Sequence, residues 1–313
     1  MKKGARILVT GASGFLGKHV VSLLLGEGYH VSTLGRTPSA QGLPHFQADL
    51  GHDTPVDAVS TMDAIVHLAC DVSIARSIEN PDSHIANNLA MTLAILQACR
   101  SSVHKPLVIF LSTDRVYGKA SGRVTEQSPT FPIEPYTASK IMGEVALATY
   151  ANQFGIPYIA IRASAFFGPH QPRRSFISDV IQKMITEAVV VVGPLKSVKN
   201  FTYVENVAYA VLAALKAPRS AHNRTYNVGG KPVALSRVLA LSKTILEKRL
   251  GKKIRMRTDR SIRLPQQNEI GPFTLSTASA HKTLRWKERT PLKAGLEKTI
   301  DYFLEIFLTP ENQ

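Results

Sequence analysis

Short runs rich in Val, Ile, Leu and Thr alternate with amphipathic stretches over the first half of the chain. Arg6 to Thr10, His30 to Leu34, Ala64 to Leu68, Leu107 to Ser112 and Tyr158 to Arg162 read as strands. Leu16 to Leu25, Asn88 to Arg100 and Ala138 to Phe154 read as helices between them. Strand–helix alternation of this kind requires crossover connections and predicts an α/β fold of Rossmann type, a doubly wound parallel sheet. After Gly168-Pro169 the pattern loosens: a helix near Ser178 to Thr186, a turn at Val228-Gly229-Gly230, and a helix near Leu235 to Leu250. The division expected is a nucleotide-binding domain over 1–167 and a smaller C-terminal substrate-binding lobe over 168–313, with about 199–235 returning to the first domain.

Composition narrows the class. With 44% hydrophobic and 19% charged residues the 313-residue chain is an ordinary globular protein. No apolar stretch approaches bilayer length, and the run Ile7-Leu8-Val9 stops too soon for a signal-peptide core, so a cytoplasmic location is expected. Two cysteines, Cys70 and Cys99, cannot build a disulfide framework or a zinc site of the usual spacing, and no metal is expected. Lys and Arg outnumber Asp and Glu by 38 to 23, a formal charge of +15, which favours anionic ligands. The densest basic run, Lys248 to Arg263, alternates Lys253, Arg255 and Arg257 as on one face of a strand. It carries no interleaved aromatics, so a solvated face is preferred to a nucleic-acid site.

Candidate chemistry starts at the end of the first strand. GASGFLG places Gly11, Gly14 and Gly17, with Ser13, Phe15 and Leu16 among them, directly before a helix. Glycines there allow a tight turn and close approach to a pyrophosphate, which the helix N-terminus attracts; a dinucleotide site is predicted. The second strand ends Leu34-Gly35-Arg36, with glycine where an acid would accept from the ribose hydroxyls. Arg36 can pair with a 2′-phosphate, so NADP is preferred and NAD is the alternative. Further on, PYTASK sets Tyr136 and Lys140 four apart, on one helix face. Bringing a tyrosine of pKa about 10 down by roughly three units takes about 4 kcal/mol. One charge at ~4 Å in an effective dielectric near 20 supplies about that. The pair therefore suits proton transfer.

TGASGFLG, LSTDRVYG and YTASK, in this order and spacing, resemble the extended short-chain dehydrogenase/reductase superfamily, and within it the NAD(P)-dependent epimerase/dehydratase family acting on nucleotide sugars. DAIVHLAC, IRASAFFGPHQ, NFTYVENVAYA and YNVGG agree. The resemblance implies Thr113 as the hydroxyl that holds the substrate oxygen, Tyr136 as acid/base, and Lys140 on the nicotinamide ribose. It also implies Asp49 and Leu50 near the adenine, Leu68 and Ala69 along the cofactor, Asn88 near the lysine, and a homodimer.

The sequence departs from the family at informative places. Members that dehydrate sugars follow the threonine with an acid pair, whereas this chain has Asp114-Arg115. Arginine stays protonated, so dehydration is disfavoured unless a carboxylate from elsewhere substitutes. Asp114 also reads as an exposed turn acid paired with Arg115 or another cation. The family's diphosphate-contacting asparagine is Ala165, and its Arg-Asp pair is Lys199-Asn200. Asp114, Ala165, Lys199 and Arg263 are the positions expected against a substrate. The preferred activity is NADPH-dependent reduction of a 4-keto nucleotide sugar. The alternatives are a nucleotide-sugar 4-epimerase with tightly held NAD, a reductase of a non-nucleotide ketone or sterol-like alcohol, and a non-catalytic NADP-binding regulator.

Overall fold

The computed structural model describes residues 1–38, 42–172, 175–195, 197–259, 261–262 and 270–308. Arg263 lies outside the described residues. Seven strands form one sheet: β1 (Arg6–Thr10), β2 (His30–Gly35), β3 (His45–Gln47), β4 (Ala64–His67), β5 (Leu107–Thr113), β6 (Tyr158–Ala163) and β7 (Arg224–Val228), in spatial order β7-β6-β5-β4-β1-β2-β3. Every neighbouring pair is parallel. The order reverses about β1, which lies between β2 and β4, so a crevice opens beyond the carboxyl ends of those strands.

Alternation along the strands divides the core into two layers. Ile7, Val9, Val66, Ile109, Ile159 and Ile161 face one way, into a cluster shared with α1 (Phe15–Gly26). Leu8, Ile65, Val108, Phe110 and Ala160 face the other way. Three helices cover that second face: α2 (Val56–Ser60), α4 (Pro81–Ser101), which follows the short α3 (Ile74–Glu79), and α5 (Pro135–Phe154). Two expected helices begin earlier than their apolar pattern: α4 starts seven residues before Asn88 and α5 three before Ala138. Both open on proline at the first helical position, where the missing N–H costs nothing.

Beyond β6 come α6 (Phe176–Thr186), α7 (Val204–Lys216), α8 (Leu235–Leu250) and α9 (Leu292–Leu308). Helix α7 packs on the β1 side of the sheet beside α1, burying Val204, Val207 and Val211. Asn206 at its start fixes the C-terminal segment: its Oδ1 accepts from the N–H groups of Arg289 and Thr290, and its carbonyl from Trp286 Nε1 at 2.8 Å. The basic run forms a strand at Arg255–Thr258, parallel to Val189–Val192, with Arg255 and Arg257 both exposed. Among the described residues no helix is long and apolar enough to cross a membrane.

Candidate active site

The turn after β1 is built for close approach. Gly11 sits at φ +68°, and a Cβ there would lie 2.8 Å from the Ala69 nitrogen. A Cβ on Gly17 would lie 2.1 Å from the Gly11 carbonyl oxygen, so this position admits only glycine without a backbone shift. Thr10 Oγ1 accepts the N–H groups of Leu68 and Ala69 at 3.2 and 3.1 Å and contacts His67 Nδ1 at 2.9 Å, tying the ends of β1 and β4 together. Burial, and then the Lys140 charge, push His67 down to about 3, so it is a neutral imidazole that serves this junction.

The crevice is a cleft of about 660 Å³. Gly11 and Ser13 line it from the first turn, Gly35, Arg36 and His45 from the β2 end, and Asp49, Leu50 and Ala69 from the loops beyond. Of the other expected cofactor residues, Gly14 is exposed on the turn, Phe15 stacks on Phe166 at 5.4 Å, Leu16 and Gly17 are buried, and Leu68 is half-buried. Asp49 Oδ1 accepts the Gly51 N–H, shaping the loop. No acid lies in the first turn of α1, whose free N–H groups point positive potential at the cleft. His45 presents a buried Nε2 with no hydrogen-bond partner, while its Nδ1 contacts Thr33 Oγ1 at 2.9 Å. A glycine-tight turn and a helix N-terminus facing the cleft, with an unpartnered imidazole nitrogen on its wall, fit a dinucleotide.

Asp71, Arg76 and Asn87 also line the cleft, and the sequence patterns did not point to them. Arg76 grips Asp71 with two bonds of 2.9 and 2.7 Å. Asn88 lies behind, accepting the Asp71 N–H and donating to Ser139 Oγ, so it meets the residue beside Lys140 rather than the lysine itself.

Four of the residues expected at the reacting centre lie where β5 ends and α5 begins. Thr113, Asp114, Tyr136 and Lys140 are all buried. Lys140 Nζ donates to the Leu111 carbonyl at 2.8 Å and lies 4.8 Å from the Phe110 ring centre. Thr113 Oγ1 accepts the Arg115 N–H at 3.2 Å, which leaves the hydroxyl proton available to a substrate oxygen. Burial pushes Tyr136 above its ordinary range; Cys70, Glu134 and Asp114 add to this, and Arg115 opposes it.

Asp114 corrects the sequence reading of an exposed turn acid paired with Arg115. Its residue is 3% exposed, and burial pushes its carboxyl up to about 7 against the pull of Arg115 and Lys199. Arg115 instead forms a fork with Glu134, Nε to Oε1 at 2.7 Å and Nη2 to Oε2 at 3.0 Å. Glu134 is thus the carboxylate that comes to the place of the missing base. Its side chain is fully buried and also accepts from Thr137 Oγ1, so its oxygens are engaged and it is not poised as a base.

On the expected substrate side, Ala165 is exposed, offers only a methyl, and uses its carbonyl to accept the Thr202 N–H. Lys199 is half-buried and within electrostatic reach of Asp114. Asn200 is buried and structural: it donates to the Phe273 carbonyl and accepts from the Leu275 N–H. Tyr117 extends behind the site, donating to Asn227 Oδ1 and accepting from the buried Arg162, which is paired with the half-buried Glu144 at 2.6 Å. Among the described residues no cluster of His, Cys, Asp or Glu could hold a metal ion.

Residues 7–229 match the model of the NAD dependent epimerase/dehydratase family. The chain belongs to that family. It is therefore an NAD(P)-dependent enzyme of the short-chain dehydrogenase/reductase superfamily. It is 27% identical to an uncharacterized UDP-glucose epimerase of Bacillus subtilis, covering 96% of this chain and 99% of that protein. It is 28% identical to a trifunctional UDP-glucose 4,6-dehydratase, epimerase and reductase of Arabidopsis thaliana, but spans only 48% of that protein's length. The UDP-glucuronic acid 4-epimerase of Bacillus cereus, solved with UDP-glucuronic acid and NAD, superposes with a TM-score of 0.83 at 25% identity, over 96% of this chain and 99% of that one.

Proposed function

We propose that the chain is a nucleotide-sugar 4-epimerase. The observation that carries this is that Thr113, Tyr136 and Lys140 are buried at the end of β5 and the start of α5, with Tyr136 in electrostatic reach of Cys70 on the cleft wall, in a chain whose full-length relatives include UDP-sugar epimerases. This reverses the order preferred on sequence grounds, where net reduction came first.

Ser13, the turn at Gly11, the α1 N-terminus, Asp49 and Ala69 would hold the dinucleotide. A bound nicotinamide would supply the hydride acceptor for the sugar C4 and the hydride donor to its opposite face. Tyr136 takes the C4 hydroxyl proton as the hydride leaves and gives it back as the hydride returns. Thr113 donates its free hydroxyl proton to the same oxygen. Lys140, anchored on the Leu111 carbonyl, supplies positive charge at the base of the tyrosine helix. Lys199 suits the substrate's diphosphate as a point charge without a bidentate fork.

A second reading, an NADPH-dependent 4-ketoreductase, is favoured by one feature: β2 ends at Gly35 and Arg36, with no acid to repel a 2′-phosphate, and both residues line the cleft. Denaturing the purified protein and identifying the released nucleotide separates the two. Stoichiometric NAD supports the epimerase; an empty site, with NADPH consumed by a 4-keto nucleotide sugar, supports the reductase.

A further inference from the structure

Arg115 stands where two catalytic elements meet, and it is bound to both. Its backbone N–H donates to Thr113 Oγ1 on the strand side, and its guanidinium forks onto Glu134 on the helix side. Glu134 is the residue just before α5, two before Tyr136, yet its side chain makes no cap bond to the helix backbone. It turns instead to Arg115, with Thr137 Oγ1 filling in from the first turn. Glu134's side chain is 0% exposed and Arg115's 17%. An ion pair that far out of water interacts much more strongly than a surface pair, and removing one partner leaves a stranded charge.

We propose that Arg115 and Glu134 are a positioning pair that locks the strand end carrying Thr113 and Asp114 to the first turn carrying Tyr136, with the guanidinium as the fixed positive charge facing both proton-bearing groups. Three features support it. The fork is bidentate, which fixes angle as well as distance. The Arg115 backbone N–H occupies a lone pair of Thr113 Oγ1, which leaves that hydroxyl able to donate. Arg115 also draws both Asp114 and Tyr136 toward their charged forms against burial. The other charged or titratable groups facing this pair of acids are Lys199 toward Asp114, and Cys70, Glu134 and the His84 ring toward Tyr136. The role of Tyr136 rests on the function proposed above; the measurement that follows needs neither substrate nor cofactor.

The test is the titration of Asp114 in the full-length protein, read as the pH dependence of the unfolding free-energy difference between each form and its Asp114→Asn counterpart. The midpoint expected in the otherwise unchanged protein is about 7. Glu134→Gln leaves the guanidinium unneutralised, so the midpoint falls. Arg115→Met combined with Glu134→Gln removes the cation without stranding a carboxylate, so the midpoint rises by about one pH unit or more. Opposite shifts support the proposal, and general destabilisation does not produce them. If the double variant does not fold, the downward shift in Glu134→Gln alone decides. Unchanged midpoints, with only lowered stability, would overturn it.

Discussion

Asp114 is a carboxyl held close to neutral pH by its surroundings, and the consequence for stability has a definite sign. Its folded pKa, about 7, lies above the ordinary carboxylate value near 4. Between those values the folded chain binds more protons than the unfolded one, so stability falls as pH rises through the window. The slope from this group is at most about 1.4 kcal/mol per pH unit. Asp114→Asn should flatten that decline, gaining on the unchanged protein from about pH 4 to pH 8 in urea unfolding. A parallel pH dependence in both would contradict the burial account. Nothing in the local sequence betrayed this: Asp114-Arg115 reads as a self-paired turn, and Glu134, nineteen residues on, captures the arginine. Arg36, in contrast, was legible because strand position alone puts it at the cleft. On the ketoreductase reading, Arg36→Glu should raise the KM for NADPH at least tenfold while leaving that for NAD unchanged or lower, measured with each cofactor supplied in turn; equal effects would remove the 2′-phosphate role.

At the scale of elements, the glycine turn and the buried ion pair behind β5 and β6 set the geometry. Gly17→Ala puts a methyl into the Gly11 carbonyl and forces backbone movement at the phosphate turn. The expected result is loss of bound dinucleotide together with a destabilisation of about 1–3 kcal/mol, measured by nucleotide content and denaturant unfolding. Arg162→Met strands Glu144, to which Ser112 Oγ also donates, and should cost about 3–5 kcal/mol. The strands were readable because two-sided burial makes them continuous apolar runs. The starts of α4 and α5 were not, since their first turns are polar and only proline and tertiary contacts mark them. The short β3, half-buried along two of its three residues, carries too little pattern to show in sequence.

Across the whole molecule, the parallel sheet followed from strand–helix alternation, and the glycine turn after the first strand marked one wall of the cleft; the strand order, with its reversal at β1, depends on packing that the sequence pattern does not carry. The packing of the C-terminal segment could not, because it depends on Asn206 bonding residues more than eighty positions away. That clamp makes the sole tryptophan a reporter on long-range structure: Trp286 is 2% exposed and donates to the Asn206 carbonyl. Its fluorescence change and the loss of helical circular dichroism should coincide in denaturant, and an earlier fluorescence transition would show the C-terminal segment detaching first.

The central claim is that Thr113, Tyr136 and Lys140 invert C4 of a nucleotide sugar without net redox change. Its most direct test is to incubate the purified protein with UDP-glucose and UDP-glucuronic acid, with no reductant added, and follow the C4 epimer by NMR. The account predicts epimer formation by the unchanged protein and a loss of about 10²–10⁴-fold in Tyr136→Phe that retains its bound nucleotide. Near-normal epimerisation by Tyr136→Phe would contradict it, as would the absence of any epimer alongside NADPH-dependent reduction of a 4-keto nucleotide sugar.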